Sequence, residues 1–207
     1  MSKITKIEIQ KRNKDKVNLF LDDEFRCGLT AESIVRARLK VGDEISENQL
    51  NEIFLTSESE IAFNKACDYI SRSMKTVKQI RDWLTNKGFE QSVVSNVVNK
   101  LKEYRYVDDN MYAELYINSN VSTKGKRRLT VELTQKGINK ELAEQTVETL
   151  SDEKLSENAN TLAEKYMRNK EPTTQNLVKL QRYLLSRGYD YETVNAIIRK
   201  YRTNDTD

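Results

Sequence analysis

A recurring pattern of apolar positions followed by a glycine dominates the chain from about residue 60 onward. Apolar side chains stand eight and four positions before Gly88, Gly137 and Gly188, a separation that places them on one stripe of an α-helix. A Lys or Arg directly precedes each glycine, where a cation favours the negative end of a helix dipole. The glycine suits the left-handed residue that ends many helices, so the pattern predicts a helix stop at each one. The apolar pairs are Ile80 and Leu84, Leu129 and Leu133, and Leu180 and Leu184.

The surroundings of the three glycines repeat as well. An Ala-x-x-Tyr pair precedes each predicted helix, and a second apolar stripe follows each glycine at helical spacing. Because the same positions coincide in all three copies, we predict three tandem three-helix repeats over residues 60–107, 108–150 and 151–207. The alternative is chance similarity among leucine-rich helices. The pairs are Ala66 and Tyr69, Ala113 and Tyr116, and Ala163 and Tyr166; the stripes begin at Val94, Ala143 and Val194.

The N-terminal extension, residues 1–59, follows a different pattern. Residues 4–10 and 17–21 alternate apolar and polar positions around the polar segment KRNKDK, which predicts a β-hairpin with a turn there. A third short strand is expected over 24–27. Thr30 is the predicted cap of a short helix that Gly42 breaks, and two helices are expected from about 47 to 55 and from about 57 to 71.

The sequence also contains residues typical of helix N-termini at the starts of predicted helices. Thr76 and Gln79 have the spacing of a capping box at the middle helix of the first repeat. Asp108 and Asp109 open the second repeat, where a cap and a negative charge are favourable, so capping is preferred over a metal or acid–base role. Trp83 is predicted to be a buried structural residue in preference to a surface anchor for a partner.

Composition narrows the class of protein. The chain of 207 residues is 37% hydrophobic and 32% charged with a single Pro, which favours a mainly α protein of slender helical modules over a compact α/β enzyme. It contains no His, the commonest general base and the commonest transition-metal ligand. Its six glycines are scattered and form no phosphate-binding loop. We therefore expect no enzyme activity, no catalytic residues, no cofactor and no metal site.

The expected cellular location rests on three kinds of feature: apolar runs, N-terminal targeting patterns and cysteines. No apolar run approaches the roughly 20 residues of a membrane span, and the N-terminus has no signal-peptide pattern. Cys27 and Cys67 suggest neither a disulfide framework nor a zinc site. We expect a cytoplasmic monomer that does not enter membranes.

Basic residues supply the candidate functional site. Four cations surround Gly125 at the start of the middle helix of the second repeat, where they oppose the helix dipole. Since they should add nothing to local stability, we predict that they contact phosphates or the acidic face of a partner. An ordinary solvated face is the alternative. The predicted binding residues are Lys124, Lys126, Arg127 and Arg128, with Arg72, Lys75, Lys78 and Arg81 in the comparable part of the first repeat. Tyr104 and Tyr106 are exposed aromatic residues that suit stacking on bases.

These motifs, taken in order, resemble the RecX family of bacterial recombination regulators from about residue 60 to the end. The segment before that point matches poorly, as a variable extension would. Two departures are Lys75-Thr76 with Gln79, where the family commonly has Arg-Thr with Glu, and Tyr112, where Phe is common. The matching residues are Ala66, Tyr69-Ile70-Ser71-Arg72, Lys75-Thr76, Ile80, Leu84, Lys87-Gly88-Phe89, Leu101, Tyr106-Val107-Asp108-Asp109, Ala113, Lys124-Gly125, Arg128-Leu129, Glu132-Leu133 and Lys136-Gly137-Ile138.

The resemblance implies an elongated, curved array of three tandem three-helix repeats. It also implies a modulator of the RecA recombinase in DNA recombination and repair. Such a protein would bind in the groove of the RecA filament on single-stranded DNA, directly or through RecA, and inhibit ATP hydrolysis, strand exchange or filament growth. A helical solenoid presents a long face that can contact several subunits at once, in agreement with this function.

A second hypothesis belongs to another class. One helical unit, used like a helix-turn-helix, would make the chain a stand-alone DNA-binding protein that reads duplex DNA. Tight binding to duplex DNA without an effect on RecA would favour it.

Overall fold

The fold is described from a computed structural model that covers residues 1–11 and 13–203; Arg12, in the predicted polar turn, lies outside the described residues. Within them the chain forms four strands and ten helices. The strands are β1 (Ser2–Gln10), β2 (Asn13–Leu21), β3 (Glu24–Thr30) and β4 (Glu44–Ile45). The helices are α1 (Ala31–Arg36), α2 (Glu47–Ser71), α3 (Val77–Asn86), α4 (Gln91–Glu103), α5 (Asp109–Asn120), α6 (Lys126–Gln135), α7 (Lys140–Glu148), α8 (Asp152–Met167), α9 (Thr174–Ser186) and α10 (Tyr191–Thr203).

The N-terminal strands form one antiparallel sheet in the order β3-β2-β1-β4. The predicted hairpin and third strand are confirmed, although β3 continues to Thr30. Two expectations are corrected. β2 begins at Asn13, because backbone pairing continues through the polar segment that predicted a longer turn. The short strand β4 was not predicted, since so brief a strand has no periodicity to detect.

One long helix, α2, replaces the two helices expected on either side of Thr56. The hydroxyl of Thr56 donates to the carbonyl of Glu52 at 2.8 Å, so it remains compatible with a helix. Ser57 is fully buried, and its Oγ accepts a hydrogen bond from the backbone N–H of Thr30 at 2.7 Å. The two hydroxyls at the expected break are thus satisfied inside a continuous helix. The predicted boundary between the N-terminal extension and the first repeat, at residues 59 and 60, falls within α2.

The three glycine turns have the predicted conformation. Gly88, Gly137 and Gly188 have φ of 87°, 92° and 88°, values that favour glycine. In each turn the residue after the glycine donates its N–H to the carbonyl four residues before the glycine, closing the helix with a Schellman motif. All six apolar positions that precede the glycines are at most 1% exposed.

Apolar residues cluster within individual segments of the chain. The sheet has a core that includes Ile4, Leu19, Leu29 and Leu50. Helices α5–α7 surround Leu129 and its neighbours, and α8–α10 enclose a third cluster that runs from Ala159 to Ile198. Each of these two three-helix repeats is therefore a small bundle that buries its own stripes.

The chain divides into two compact units. The first comprises residues 1–74 and 80–107, and the second comprises residues 75–79 together with the chain from Asp108 onward. In the first unit α2 packs on β3 and on α4. In the second unit α5–α10 form two three-helix bundles, and the segment 75–79 packs against the turn after α6.

Two joints of the same design occur within the second unit, each between the start of one middle helix and the glycine turn of a later one. Thr76 is buried, and its hydroxyl donates to the carbonyl of Lys136 at 2.6 Å. Gly125 donates its N–H to the carbonyl of Arg187 at 2.9 Å. The predicted capping box is confirmed, since Thr76 and Gln79 exchange hydrogen bonds of 3.0 and 3.2 Å.

Candidate partner-binding site

The basic segment 124–128 is shaped by one acidic residue, Glu132, which lies in the second turn of α6. The Nζ of Lys124 is 2.6 Å from Oε2 of Glu132, and the two side chains are only 18% and 13% exposed. The hydroxyl of Tyr116 donates to the same oxygen at 2.5 Å. Lys124 therefore ties α5 to α6, a role in packing that the sequence did not predict.

Two further cations of the segment are paired. Nε of Arg128 lies 2.6 Å from Oε1 of Glu132, while half of the arginine side chain remains exposed. Lys126 contacts Asp152 at 2.9 Å and Glu148 at 3.4 Å. The expectation that these cations add nothing to local stability is thus corrected for three of the four, because acidic side chains pair with them. Arg127 is exposed and makes no ion pair with the residues that the structure describes.

The four cations face two different depressions of the second unit. Lys124 and Arg128 line a depression of about 390 Å³ together with Glu132, Tyr183, Ser186 and Arg187. Lys126 and Arg127 line a larger one of about 1010 Å³, where acidic residues of α8 and α10 also lie. The smaller depression carries three cations against one acid, so it is the more favourable place for a negatively charged group.

The four cations predicted as binding residues in the first repeat differ in their exposure and in what they contact. Arg72 is exposed at the end of α2. Arg81 is half-buried and donates to Oγ of Ser95 at 3.4 Å. Lys75 is half-buried, and Lys78 packs on Gly137, where an added Cβ would lie 2.2 Å from the Cβ of the lysine.

Aromatic rings beneath the basic residue of each glycine turn were missed by sequence reasoning. Lys87 lies over the ring of Trp83 at 5.5 Å, Lys136 over that of Tyr116 at 5.2 Å, and Arg187 over that of Tyr183 at 5.1 Å. Trp83 is half-buried and stacks on Tyr69 with centroids 4.6 Å apart, so it is less buried than predicted. The sequence does contain a sign of this arrangement, since Trp83 and Tyr183 each stand five positions before a turn glycine, Gly88 and Gly188.

Burial and hydrogen bonding set the protonation of the Glu132 group. Burial by itself would raise the pKa of Glu132, but hydrogen bonds from Lys124, Tyr116 and Arg128 outweigh it and lower the pKa to about 2. Burial, followed by the bond to Glu132, raises the pKa of Tyr116 above its ordinary value. The carboxylate is therefore ionised and the phenol protonated at neutral pH.

The paired carboxylates Asp108 and Asp109 serve as caps. Oδ1 of Asp108 accepts from the N–H groups of Asn110 and Met111 at the start of α5. Oδ1 of Asp109 accepts from the N–H of Val77 at 2.9 Å.

Among residues 1–11 and 13–203 there is no cluster of three or more acidic or cysteine residues suited to a metal ion. None of the helices in this described part is both long and apolar enough to span a membrane.

Fold and site together define a helical-repeat protein whose repeats carry cations on their polar faces. Comparison with known families is specific: residues 2–46 match the regulatory protein RecX N-terminal domain. Residues 62–101, 108–147 and 152–198 match the first, second and third three-helix domains of RecX. The chain belongs to the RecX family of regulatory proteins. The expectation that the segment before residue 60 is a poorly matched extension is corrected, because a family domain covers most of it.

Individual relatives agree with this assignment. The regulatory protein RecX of Clostridium botulinum (strain Alaska E43 / Type E3) is 34% identical, covering 97% of this chain and 96% of its own length. That of Clostridium tetani is 32% identical over 99% and 97%. A crystal structure of regulatory protein RecX has a TM-score of 0.72 at 28% identity, covering 97% of this chain and all of its own. RecX from Lactobacillus salivarius has a TM-score of 0.66 at 26% identity, covering 72% and 99%.

Proposed function

We propose that this chain regulates the RecA recombinase by binding the RecA filament on single-stranded DNA and inhibiting its ATP hydrolysis, strand exchange and growth. The observation that carries the proposal is the ordered match of all four RecX domains along residues 2–198. We further propose that it acts as a monomer in the cytoplasm and binds without catalysing a reaction.

Charge and position support a contact through the smaller depression of the second unit. Arg128 reaches it from the second repeat, and Tyr183 and Arg187 reach it from the third. A guanidinium presents several donors in a plane and therefore suits carboxylates and phosphates. Glu132 already holds one edge of the Arg128 guanidinium, which fixes its orientation and leaves the exposed part of the side chain for a partner.

The other predicted residues enter the proposal in two ways. Arg72 and Arg127 are exposed and suit a direct contact with the filament. Lys124 and Lys126 support the second repeat through ion pairs, so their contribution to binding is indirect. Successive repeats then offer several weak contacts that add through multivalency.

The test is a titration of RecA ATP hydrolysis on single-stranded DNA with the full chain. We expect the intact chain to lower the rate. Replacing Arg128→Gln and Arg187→Gln together should raise the half-inhibitory concentration at least about tenfold, since the loss of even one hydrogen bond to a charged group costs roughly 1.5–3 kcal/mol.

A control with the same loss of charge is Arg168→Gln with Arg202→Gln, two exposed arginines at the ends of α8 and α10. This control should inhibit as the parent chain does. Duplex DNA is assayed in parallel. Tight binding to duplex DNA without any change in RecA activity would favour the stand-alone DNA-binding protein over this proposal.

A further inference from the structure

Three aromatic rings form an exposed cluster in the first unit, away from the basic segment 124–128 in sequence. The ring of Phe63 on α2 meets those of Tyr104 and Tyr106 with centroids 6.0 and 6.4 Å apart. The two tyrosines contact one another at 5.7 Å in an edge-to-face arrangement. Tyr104 is 50% exposed and Tyr106 is 57% exposed, so much of this ring surface faces solvent.

Cations accompany the rings. Nζ of Lys100 lies 4.7 Å from the centre of the Phe63 ring and 5.8 Å from that of Tyr104. Lys102 and Arg105 are exposed in the same turn, against one exposed acid, Glu103. The surface therefore combines aromatic faces with an excess of positive charge.

The repeat architecture does not require these rings. Phe63 stands three positions before the repeated alanine, where the other repeats have Asn110 and Asn160. In the third repeat Asn160 accepts from Nζ of Lys200, the counterpart of Lys100, at 3.3 Å. In the third repeat an asparagine therefore accepts a hydrogen bond from the equivalent lysine. Of the three repeats, only the first has an aromatic ring at the position of this asparagine.

The backbone that carries the two tyrosines is held in an unfavourable conformation. Arg105 has φ of 55°, although the corresponding role in the glycine turns belongs to glycine. Its N–H donates to the carbonyl of Lys102, and that of Tyr106 donates to the carbonyl of Leu101, which closes α4 with a Schellman motif. A left-handed non-glycine residue costs free energy and often marks a functional position. Here that residue is an exposed cation that stands between the two tyrosines in the sequence.

We propose that Phe63, Tyr104 and Tyr106, with Lys100 and Arg105, form a binding site for single-stranded nucleic acid in which bases stack on the tyrosines. Each base offers a planar face to an exposed ring, and the cations meet the phosphates. A folded acidic protein surface would use the charges but would leave the ring faces without planar partners. The inference rests on the proposed function in one respect, since single-stranded DNA is what RecA coats, but its test needs no RecA.

The experiment measures binding of a labelled oligothymidylate of about 20 nucleotides by fluorescence anisotropy at low salt. The full chain should bind it, and Tyr104→Ala with Tyr106→Ala should weaken binding about tenfold or more, because stacking of each base contributes roughly 1–3 kcal/mol. Tyr104→Phe with Tyr106→Phe keeps both rings and should bind within about twofold of the parent chain. Arg105→Gly should lower the slope of log affinity against log salt by about 0.7, the value for one phosphate contact on a single strand.

The matched control is Tyr191→Ala, which removes a 65% exposed tyrosine at the start of α10 and should leave binding unchanged. Circular dichroism melting confirms that each variant is folded. The proposal is overturned if the parent chain does not bind the oligonucleotide, or if the double alanine variant binds as well as the parent. It is also overturned if that variant binds DNA normally but loses its effect on RecA, since the rings would then contact protein. Binding to DNA without any effect on RecA would leave this site standing and reject the proposed function instead.

Discussion

Glu132 is the residue of the second repeat on which three neighbouring side chains converge. Its carboxylate accepts from Lys124, Tyr116 and Arg128 while its side chain is only 13% exposed. Its folded pKa of about 2 lies below the ordinary value of 4.5, so the ionised group stabilises the fold above about pH 4.5. That contribution disappears as the pH falls toward 2.

We therefore expect Glu132→Gln to lower the free energy of unfolding by roughly 3 kcal/mol at neutral pH and by much less near the folded pKa. Urea unfolding from pH 7 downward measures this difference. Glu114→Gln, a change at an exposed glutamate of α5, serves as the control and should show little effect at any pH. A loss of stability for Glu132→Gln that is the same at every pH would show that the carboxylate is not held by these partners.

Among the helices, the joint between α6 and the turn after α9 depends on a glycine for its lack of a side chain. Gly125 has an ordinary φ of −83°, yet a Cβ there would lie 2.4 Å from the carbonyl oxygen of Gly188. Gly42 is the opposite case, with φ of 102° and no atom within 4 Å of an added Cβ. One glycine is required by close approach, and the other by backbone conformation alone.

Gly125→Ala should therefore destabilise the chain by about 2–3 kcal/mol, the upper part of the range for overpacking, because α6 and the turn must separate to admit the methyl group. Gly42→Ala should cost only the left-handed penalty of about 1 kcal/mol. Thermal unfolding of both variants gives the comparison. Equal costs at the two positions would contradict the close approach at Gly125.

Much of the helical architecture was predictable because it depends on local chemistry. The apolar spacing before Gly88, Gly137 and Gly188 predicted both the buried stripes and the helix ends, and the structure has both. The continuity of α2 was not predictable in the same way. We expected two helices there, but the hydroxyl of Ser57 accepts from the backbone of Thr30, a contact distant in sequence that a local pattern does not contain.

Across the chain as a whole, the sequence indicated which cations to consider but not which of them are free to bind. Lys126 pairs with Glu148 and Asp152, acids that belong to later helices, and such pairing follows only from the packing of those helices near the start of α6. The aromatic cluster around Tyr104 was visible as exposed tyrosines, whereas the contribution of Phe63 from α2 required the fold. Local patterns thus predict repeats well and binding surfaces less well.

Separate apolar cores predict that the chain unfolds in parts. The cluster of α8–α10 contains only residues between Ala159 and Ile198, and the sheet has its own cluster around Leu19. In repeat architectures stability is a sum of local terms and contacts between neighbours. Leu180→Ala, at a fully buried position, should cost about 2–5 kcal/mol and act mainly on its own repeat.

Hydrogen exchange followed by mass spectrometry measures this effect. In the Leu180→Ala variant, amides of α8–α10 should exchange faster, while those of β1–β3 should keep the parent rates, because local opening is governed by local packing. Leu19→Ala is the reciprocal variant and should accelerate exchange in the sheet alone. Leu115→Ala, which removes a 47% exposed side chain of α5, is the control and should change neither region. Uniform acceleration along the chain in either core variant would mean that the molecule opens as one cooperative body, and the repeats would then not be independent units of stability.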